Sequence, residues 1–299
     1  MKRFVAGLVQ QSCSADRKAN MEKSAAGIRE AVSKGAELVV LQELHLGLYF
    51  CQTEDPVRFD LAEPVPGPST EAFGSLAARL GAVIVASVFE RRAPGLYHNT
   101  AVVFEKDGSI AGRYRKMHIP DDPGYYEKYY FTPGDLGFRP VQTSVGRLGV
   151  LICWDQWFPE AARLMALSGA ELLLYPTAIG WNTGEPEVER MPMLDAWTTI
   201  QRSHAIANGL PVICANRVGF EPAVEGTDKG ISFWGSSFIV GPQGEYFAKA
   251  GRDADEVLTA RIDMARSQTV RHNWPFFRDR RVDAYGDLAK VYGDQDGAE

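Results

Sequence analysis

Short, almost wholly apolar runs alternate along this chain with segments whose apolar residues recur at three- and four-residue intervals, the pattern of buried strands separated by amphipathic helices. Phe4 to Val9 reads as a first strand. Asn20 to Ser33 then predicts a helix through Met21, Ala25, Ile28 and Val32, stopped near Gly35, and Leu38 to Leu41 a second strand with Gln42-Glu43 at its end. The device repeats: Ser69 to Leu80 predicts a helix with Phe73, Leu76, Ala77 and Leu80 on one face, closed by Gly81 and followed by a strand from Val83 to Phe89. Hairpins come next. Tyr97 to Phe104 and Ile110 to Tyr114 flank the turn Lys106-Asp107-Gly108, and the second strand delivers Arg115-Lys116. Val141 to Val145 turns at Gly146-Arg147 into the run that ends at Cys153, and Pro159 opens a helix with Ala161, Leu164, Met165 and Leu167. Further strands are expected at Leu172 to Tyr175, Val212 to Ala215, Ser237 to Val240, Tyr246 to Ala248 and Val257 to Ile262, with a helix around Ala196 to Asn208 closed by Gly209.

So many strands require one very wide sheet or two sheets packed together. Mixed βαβ units and hairpins with few helices point to an α/β protein of α+β type, a four-layer α-β-β-α sandwich. No linker, repeat or low-complexity tract divides the chain, so residues 1–299 are read as one domain, with a core at about 4–285 and a polar carboxyl tail that is either loosely ordered or part of a subunit contact. Pro64 to Pro68, Tyr125 to Gly134 and Gly180 to Glu189 are expected to be long surface loops, where function often resides.

Composition narrows the class. At 299 residues, 45% hydrophobic and 23% charged, the chain is globular in character, and a formal net charge of -6 argues against an electrostatic nucleic-acid footprint. No stretch approaches the roughly 20 apolar residues that span a bilayer. Cys13, Cys51, Cys153 and Cys214 form no CxxC pair, and Met1-Lys2-Arg3-Phe4 opens no secretory signal, so a cytoplasmic home is expected. Walker-type loops, GxGxxG, GxSxG and HExxH are absent, which leaves nucleotide, serine-hydrolase and zinc chemistry without support.

Cys153 lies at a strand-to-helix corner, beyond the carboxyl end of a strand, where ligands bind in open α/β sheets. Alone it reads equally as a small buried hydrophobe, and Cys214 reads as core. Glu43 and Lys116 change the balance, because each is an ionisable group that immediately follows an apolar strand, as Cys153 does. A buried carboxylate serves as a base, and a fixed lysine stabilises an oxyanion. His45, His98, His118, His204 and His272 leave a Cys-His pair open. Cys51 is expected near a pocket mouth beside Tyr49, and Trp154 and Trp157 as pocket walls.

Glu43, Arg115-Lys116-Met117-His118 and Gly149-Val-Leu-Ile-Cys153-Trp-Asp155 resemble the Glu-Lys-Cys motifs of the nitrilase superfamily, the carbon-nitrogen hydrolases, in the family's order and at its customary spacing. The likeness runs from Phe4 to about Tyr285. Leu48-Tyr-Phe-Cys-Gln52, His118 through Phe131, Cys153 through Arg163, Tyr175-Pro-Thr-Ala-Ile-Gly180 and Phe277-Arg-Asp-Arg-Arg281 are similar, more narrowly, to the N-carbamoylputrescine amidase branch. The resemblance implies hydrolysis of a terminal ureido group to amine, carbon dioxide and ammonia, as in polyamine synthesis from agmatine, with no cofactor. It implies Cys153 as nucleophile, Glu43 as base, Lys116 and the Trp154 backbone N–H as oxyanion donors, and Glu127 as a second carboxylate that orients substrate and lysine. It also implies a homodimer or larger homo-oligomer.

One stretch departs from the branch. After Tyr-Pro-Thr-Ala-Ile the branch carries Gly-Ser-Glu-Pro, its glutamate facing the distal ammonium of the substrate; here Gly180-Trp-Asn182-Thr-Gly-Glu185-Pro186 puts Asn182 at that position and Glu185 after a short insertion. Tyr49, Trp154, Asn182 and Glu185 are the expected substrate-binding residues. Alternatives are another branch of the superfamily acting on a different amide, carbamoyl amino acid or nitrile, and a binding protein with a vestigial triad.

Overall fold

Side-chain alternation sorts the strand residues into two layers. Phe4, Ala6 and Leu8, Leu38 and Val40, Val83 and Val85, and Ala101 and Val103 pack in one core with residues of a second sheet, while Val9, Val39, Leu41, Ile84, Ala86, Val102 and Phe104 pack with Ile28, Ala31, Phe73 and Leu76 of two covering helices. The computed structural model describes residues 3–293. In chain order the elements are β1 (Arg3–Gln10), α1 (Arg17–Ser33), β2 (Ala36–Leu41), α2 (Pro68–Leu80), β3 (Val83–Ala93), β4 (Leu96–Phe104), β5 (Ile110–Arg115), α3 (Glu127–Tyr130), β6 (Val141–Thr143), β7 (Gly146–Val150), α4 (Pro159–Leu167), β8 (Leu172–Pro176), β9 (Gly180–Asn182), α5 (Glu187–Asn208), β10 (Val212–Ala215), β11 (Val218–Pro222), β12 (Gly230–Trp234), β13 (Phe238–Val240), β14 (Tyr246–Lys249), β15 (Glu256–Asp263) and α6 (Met264–Asn273).

The first sheet has the order β15-β1-β2-β3-β4-β5 and the second β14-β13-β10-β8-β7-β6. Helices α1 and α2 cover the first sheet and α4 and α5 the second, which is the expected α-β-β-α sandwich. The sheets are tied at one end by Gln10 of β1. Its Oε1 accepts from Ser237 N (3.0 Å) and Oγ (2.7 Å), and its Nε2 donates to the carbonyls of Gly251 (3.0 Å) and Ala254 (2.9 Å).

Three expectations need correction. Gly180 to Glu189 is not a single surface loop: it holds β9, which joins β12 and β11 in a third, three-stranded sheet, and the start of α5. Close approach hides this strand, since a Cβ on Gly180 would lie 2.4 Å from the Ser232 carbonyl. Helix α5 begins at Glu187 rather than near Ala196; acidic residues and Pro192 in its first turns mask the helical period. Tyr125 to Gly134 contains the single turn α3. The tail after Tyr285 is exposed as far as Gly293, and its remaining residues, 294–299, lie outside the described residues.

Candidate functional site

Three chain turns converge where the carboxyl ends of the two main sheets meet. After β7 the chain enters a one-turn 3-10 helix, Cys153–Trp157, with Cys153 at φ +42°, a left-handed conformation that L-residues adopt only under constraint. Asp155 supplies part of that constraint. Its Oδ2 accepts from Ile152 N (2.9 Å) and the Tyr114 hydroxyl (2.8 Å), its Oδ1 from His118 N (3.0 Å) and Nδ1 (2.7 Å), so one buried carboxylate joins the nucleophile turn to the residues on either side of Lys116. Gln156 anchors the turn on its other face, accepting at Oε1 from Trp197 Nε1 (2.9 Å) and Gln201 Nε2 (2.8 Å) of α5. The Cys153 thiol points to the Ala178 carbonyl, 3.7 Å away.

From the first sheet come Glu43, two residues past β2, and Lys116, immediately past β5. Lys116 Nζ donates to Glu43 Oε1 (2.8 Å) and to Glu127 Oε1 (2.8 Å) and Oε2 (2.7 Å), and all three side chains are fully buried. Glu43 Oε1 also accepts from Asn99 Nδ2 (2.7 Å), whereas its Oε2 has no hydrogen-bond partner among the described residues. Tyr49 donates its hydroxyl to Glu127 Oε1 (2.6 Å).

Electrostatics follow from two carboxylates sharing one cation in a dry site. Burial works against the charge of Lys116, but Glu127 and Glu43 outweigh it and hold the ammonium well above its ordinary pKa. Burial pushes Glu127 up to about 7 despite the pull of Lys116, with the charge of Glu43 adding to the rise. Burial, reinforced by Glu43, raises the Cys153 thiol well above its usual range against the opposing effect of Lys116. Burial and the neighbouring carboxylate thus favour the thiol over the thiolate. Attack requires transfer of its proton as the bond forms, and a neighbouring carboxylate with an unpartnered oxygen meets that need.

Cys153 stands at the floor of a cavity of about 1110 Å³ whose walls include Trp154, Trp157, Tyr125, Asn182, Glu185 and Trp234. Asn182, at the position where the sequence departs from the branch, donates Nδ2 to the Pro123 carbonyl (3.0 Å). Tyr125 makes the companion tie, its hydroxyl donating to the Gly180 carbonyl (3.1 Å) and accepting from Gly180 N (3.0 Å). Asn182 thus clasps the loop before α3 to β9. Glu185 Oε2 is buried without a partner among the described residues, and burial raises its pKa.

The expected residues fall into groups. Glu43, Lys116, Glu127 and Cys153 come together, and Trp154, Asn182 and Glu185 line the cavity. Tyr49 is buried behind Glu127. Cys51 is not at a pocket mouth: it is fully buried in the turn Phe50–Gln52, and burial drives its thiol well above the usual range. No histidine bonds to Cys153 among the described residues; His118 serves Asp155, His204 bonds the Gln156 carbonyl, and His45 and His98 bond Ser24 and Thr132. Asn99, Asp155 and Tyr125 had no local signal, because each acts across a long stretch of chain.

Residues 5–272 match the carbon-nitrogen hydrolase family, and the chain belongs to it: it is a hydrolase acting on carbon–nitrogen bonds. It is 45% identical to an N-carbamoylputrescine amidase of Solanum lycopersicum over 95% of this chain and 94% of that protein, and 42% identical to a citrullinase of Francisella tularensis over 98% and 100%. A crystal structure of a carbon-nitrogen hydrolase from Helicobacter pylori G27 superposes with a TM-score of 0.94 at 55% identity, covering 97% of this chain and all of the other. Among the described residues no helix is long and apolar enough to cross a membrane.

Proposed function

We propose that this enzyme hydrolyses N-carbamoylputrescine to putrescine, carbon dioxide and ammonia. The observation that carries the reading is Lys116 clamped between Glu43 and Glu127 at 2.7–2.8 Å, in the site that Cys153 enters from the other sheet. In the first half-reaction Sγ bonds to the ureido carbon while Glu43 takes the thiol proton, and the oxygen gains charge against Lys116 and the Trp154 backbone N–H. Glu43 then returns the proton to the departing ammonia, leaving a thiocarbamate on Cys153. In the second half-reaction Glu43 activates water, the C–S bond breaks, and the released carbamic acid loses carbon dioxide. Glu127 orients Lys116.

The unpartnered oxygen of Glu185 supports recognition of a cationic amine at the far end of the cavity. The relatives of the same length support the ureido class. A second reading, a citrulline-like substrate, is favoured by Lys229 at the same cavity, which would meet an α-carboxylate. The test is ammonia release from N-carbamoylputrescine and citrulline in parallel. Turnover of the first, abolished in Cys153→Ala, is expected; no turnover of N-carbamoylputrescine by pure enzyme would sink the reading. We further propose a cytoplasmic homodimer or larger assembly, supported by four free cysteines and by Trp274, Leu288 and Tyr292 left exposed near the carboxyl end.

A further inference from the structure

Arg217 is fully buried and takes no part in the chemistry above. It lies in the bend between β10 and β11, on the second-sheet side of the molecule, and reaches across to the segment after β2. Its Nη2 donates to the carbonyls of Glu43 (3.1 Å) and Leu44 (2.8 Å), and its Nη1 to the Gly47 carbonyl (2.8 Å) and to Glu221 Oε1 (2.6 Å). The other oxygen of Glu221 accepts from Tyr49 N (2.6 Å). The bonds of this pair therefore fall on residues 43–49, the stretch that presents Glu43 at one end and, through the Tyr49 hydroxyl, supports Glu127 at the other.

That stretch needs support from outside. Leu44 sits at φ +47°, in the left-handed region that a residue with a Cβ adopts only when held there. A buried ion pair by itself is a poor source of stability, and an apolar pair of the same volume often does as well. A guanidinium, however, offers several donors in a rigid fork, so one side chain satisfies three carbonyls and a carboxylate at fixed angles.

We propose that Arg217 and Glu221 are positioning residues for the base: Arg217 fixes the turn that aims Glu43, and Glu221 fixes the backbone of Tyr49, so the two carboxylates around Lys116 are set from the bend after β10 and from β11 of the third sheet. The inference rests on Glu43 being the base. Glu43 is faced by Lys116 behind β5, Glu127 on α3, Cys153 behind β7 and the Tyr49 hydroxyl; Arg217 is faced by Glu221, Cys13 and His45, and its charge reaches Glu43.

Two variants separate geometry from charge. Glu221→Gln is isosteric and keeps an acceptor, but it breaks the charge pair with Arg217 and weakens the hold on Tyr49 N. Arg217→Lys keeps the charge and loses the fork. In both, kcat for the ureido substrate should fall on the order of 10- to 100-fold with KM little changed, as for a misplaced catalytic group. Folded variants with wild-type kcat, or a loss confined to KM, would overturn the proposal. Loss of the folded state in both would also overturn it, by making the pair purely structural. Glu43→Gln is the control: if it turns over normally, the reading of Glu43 as base falls, whereas an inactive Glu43→Gln beside normal pair variants removes the positioning role alone.

Discussion

At the scale of single residues, Lys116 shows how one cation serves stability and chemistry together. Removing it deletes the oxyanion donor proposed above, and donors of that kind are worth about a hundred- to a thousand-fold in rate. It also strands Glu43 and Glu127 in a buried site, where breaking a paired charge costs about 3 to 5 kcal/mol. Lys116→Ala should therefore be inactive and destabilised in a pH-dependent way. Glu127 is already raised from 4.5 to about 7 with the lysine present, and without it this carboxylate should bind its proton still more tightly in the folded state than in the unfolded chain. For such groups the folded state is favoured below the unfolded pKa, and that advantage is lost as pH rises through the folded value. Melting temperatures of Lys116→Ala should fall from about pH 5 to about pH 8 more steeply than those of the wild type; parallel curves would show that the carboxylates do not depend on Lys116. Cys153, Glu43 and Lys116 were legible in the sequence because each follows an apolar run, and Glu127 through the family resemblance. Asn99 and Asp155 were not, because a carboxylate that accepts four bonds across the fold looks like any other Asp next to a Trp.

At the scale of elements, the third sheet turns the departure at Asn182 into a structural device. The branch's glutamate position has become a clasp between β9 and the loop before α3, which leaves Glu185 as the carboxylate for the amine recognition proposed above. Tyr125 is the other half of that clasp, bonded to both the N–H and the carbonyl of Gly180. Tyr125→Phe should unfasten the wall without touching the reacting atoms, with KM rising by about the tenfold that a lost buried hydrogen bond of 1 to 1.5 kcal/mol represents and kcat nearly unchanged. Steady-state kinetics decide it; an unchanged KM would mean that the wall holds without Tyr125. The long strands and helices α1 and α2 follow from periodicity because each buries one face. The third sheet escaped because its strands, Gly180–Asn182, Val218–Pro222 and Gly230–Trp234, are short, carry glycine, proline and charge, and pair with partners distant in sequence.

At the scale of the whole molecule, neither main sheet contains a complete site. Glu43 and Lys116 end strands of one sheet and Cys153 ends a strand of the other, so catalysis requires the two sheets to be docked in register. Arg217 and Gln10 hold that docking at the polar margin, where apolar packing cannot specify orientation. Activity should therefore disappear in the same transition as near-ultraviolet circular dichroism during urea unfolding; loss of activity at clearly lower urea would indicate that the site loosens before the sheets part.

The sheet that carries Glu43 and Lys116 begins with the first strand of the chain, yet its edge is closed by one of the last: β15 pairs with β1 from Arg3↔Asp263 to Gln10↔Glu256. A ribosome must therefore synthesise most of the polypeptide before this edge is covered. Until then β1 offers an open row of backbone donors and acceptors to any passing strand, which is the circumstance that favours aggregation. A chain terminated before Glu256 should accumulate in inclusion bodies even though every proposed catalytic residue is present.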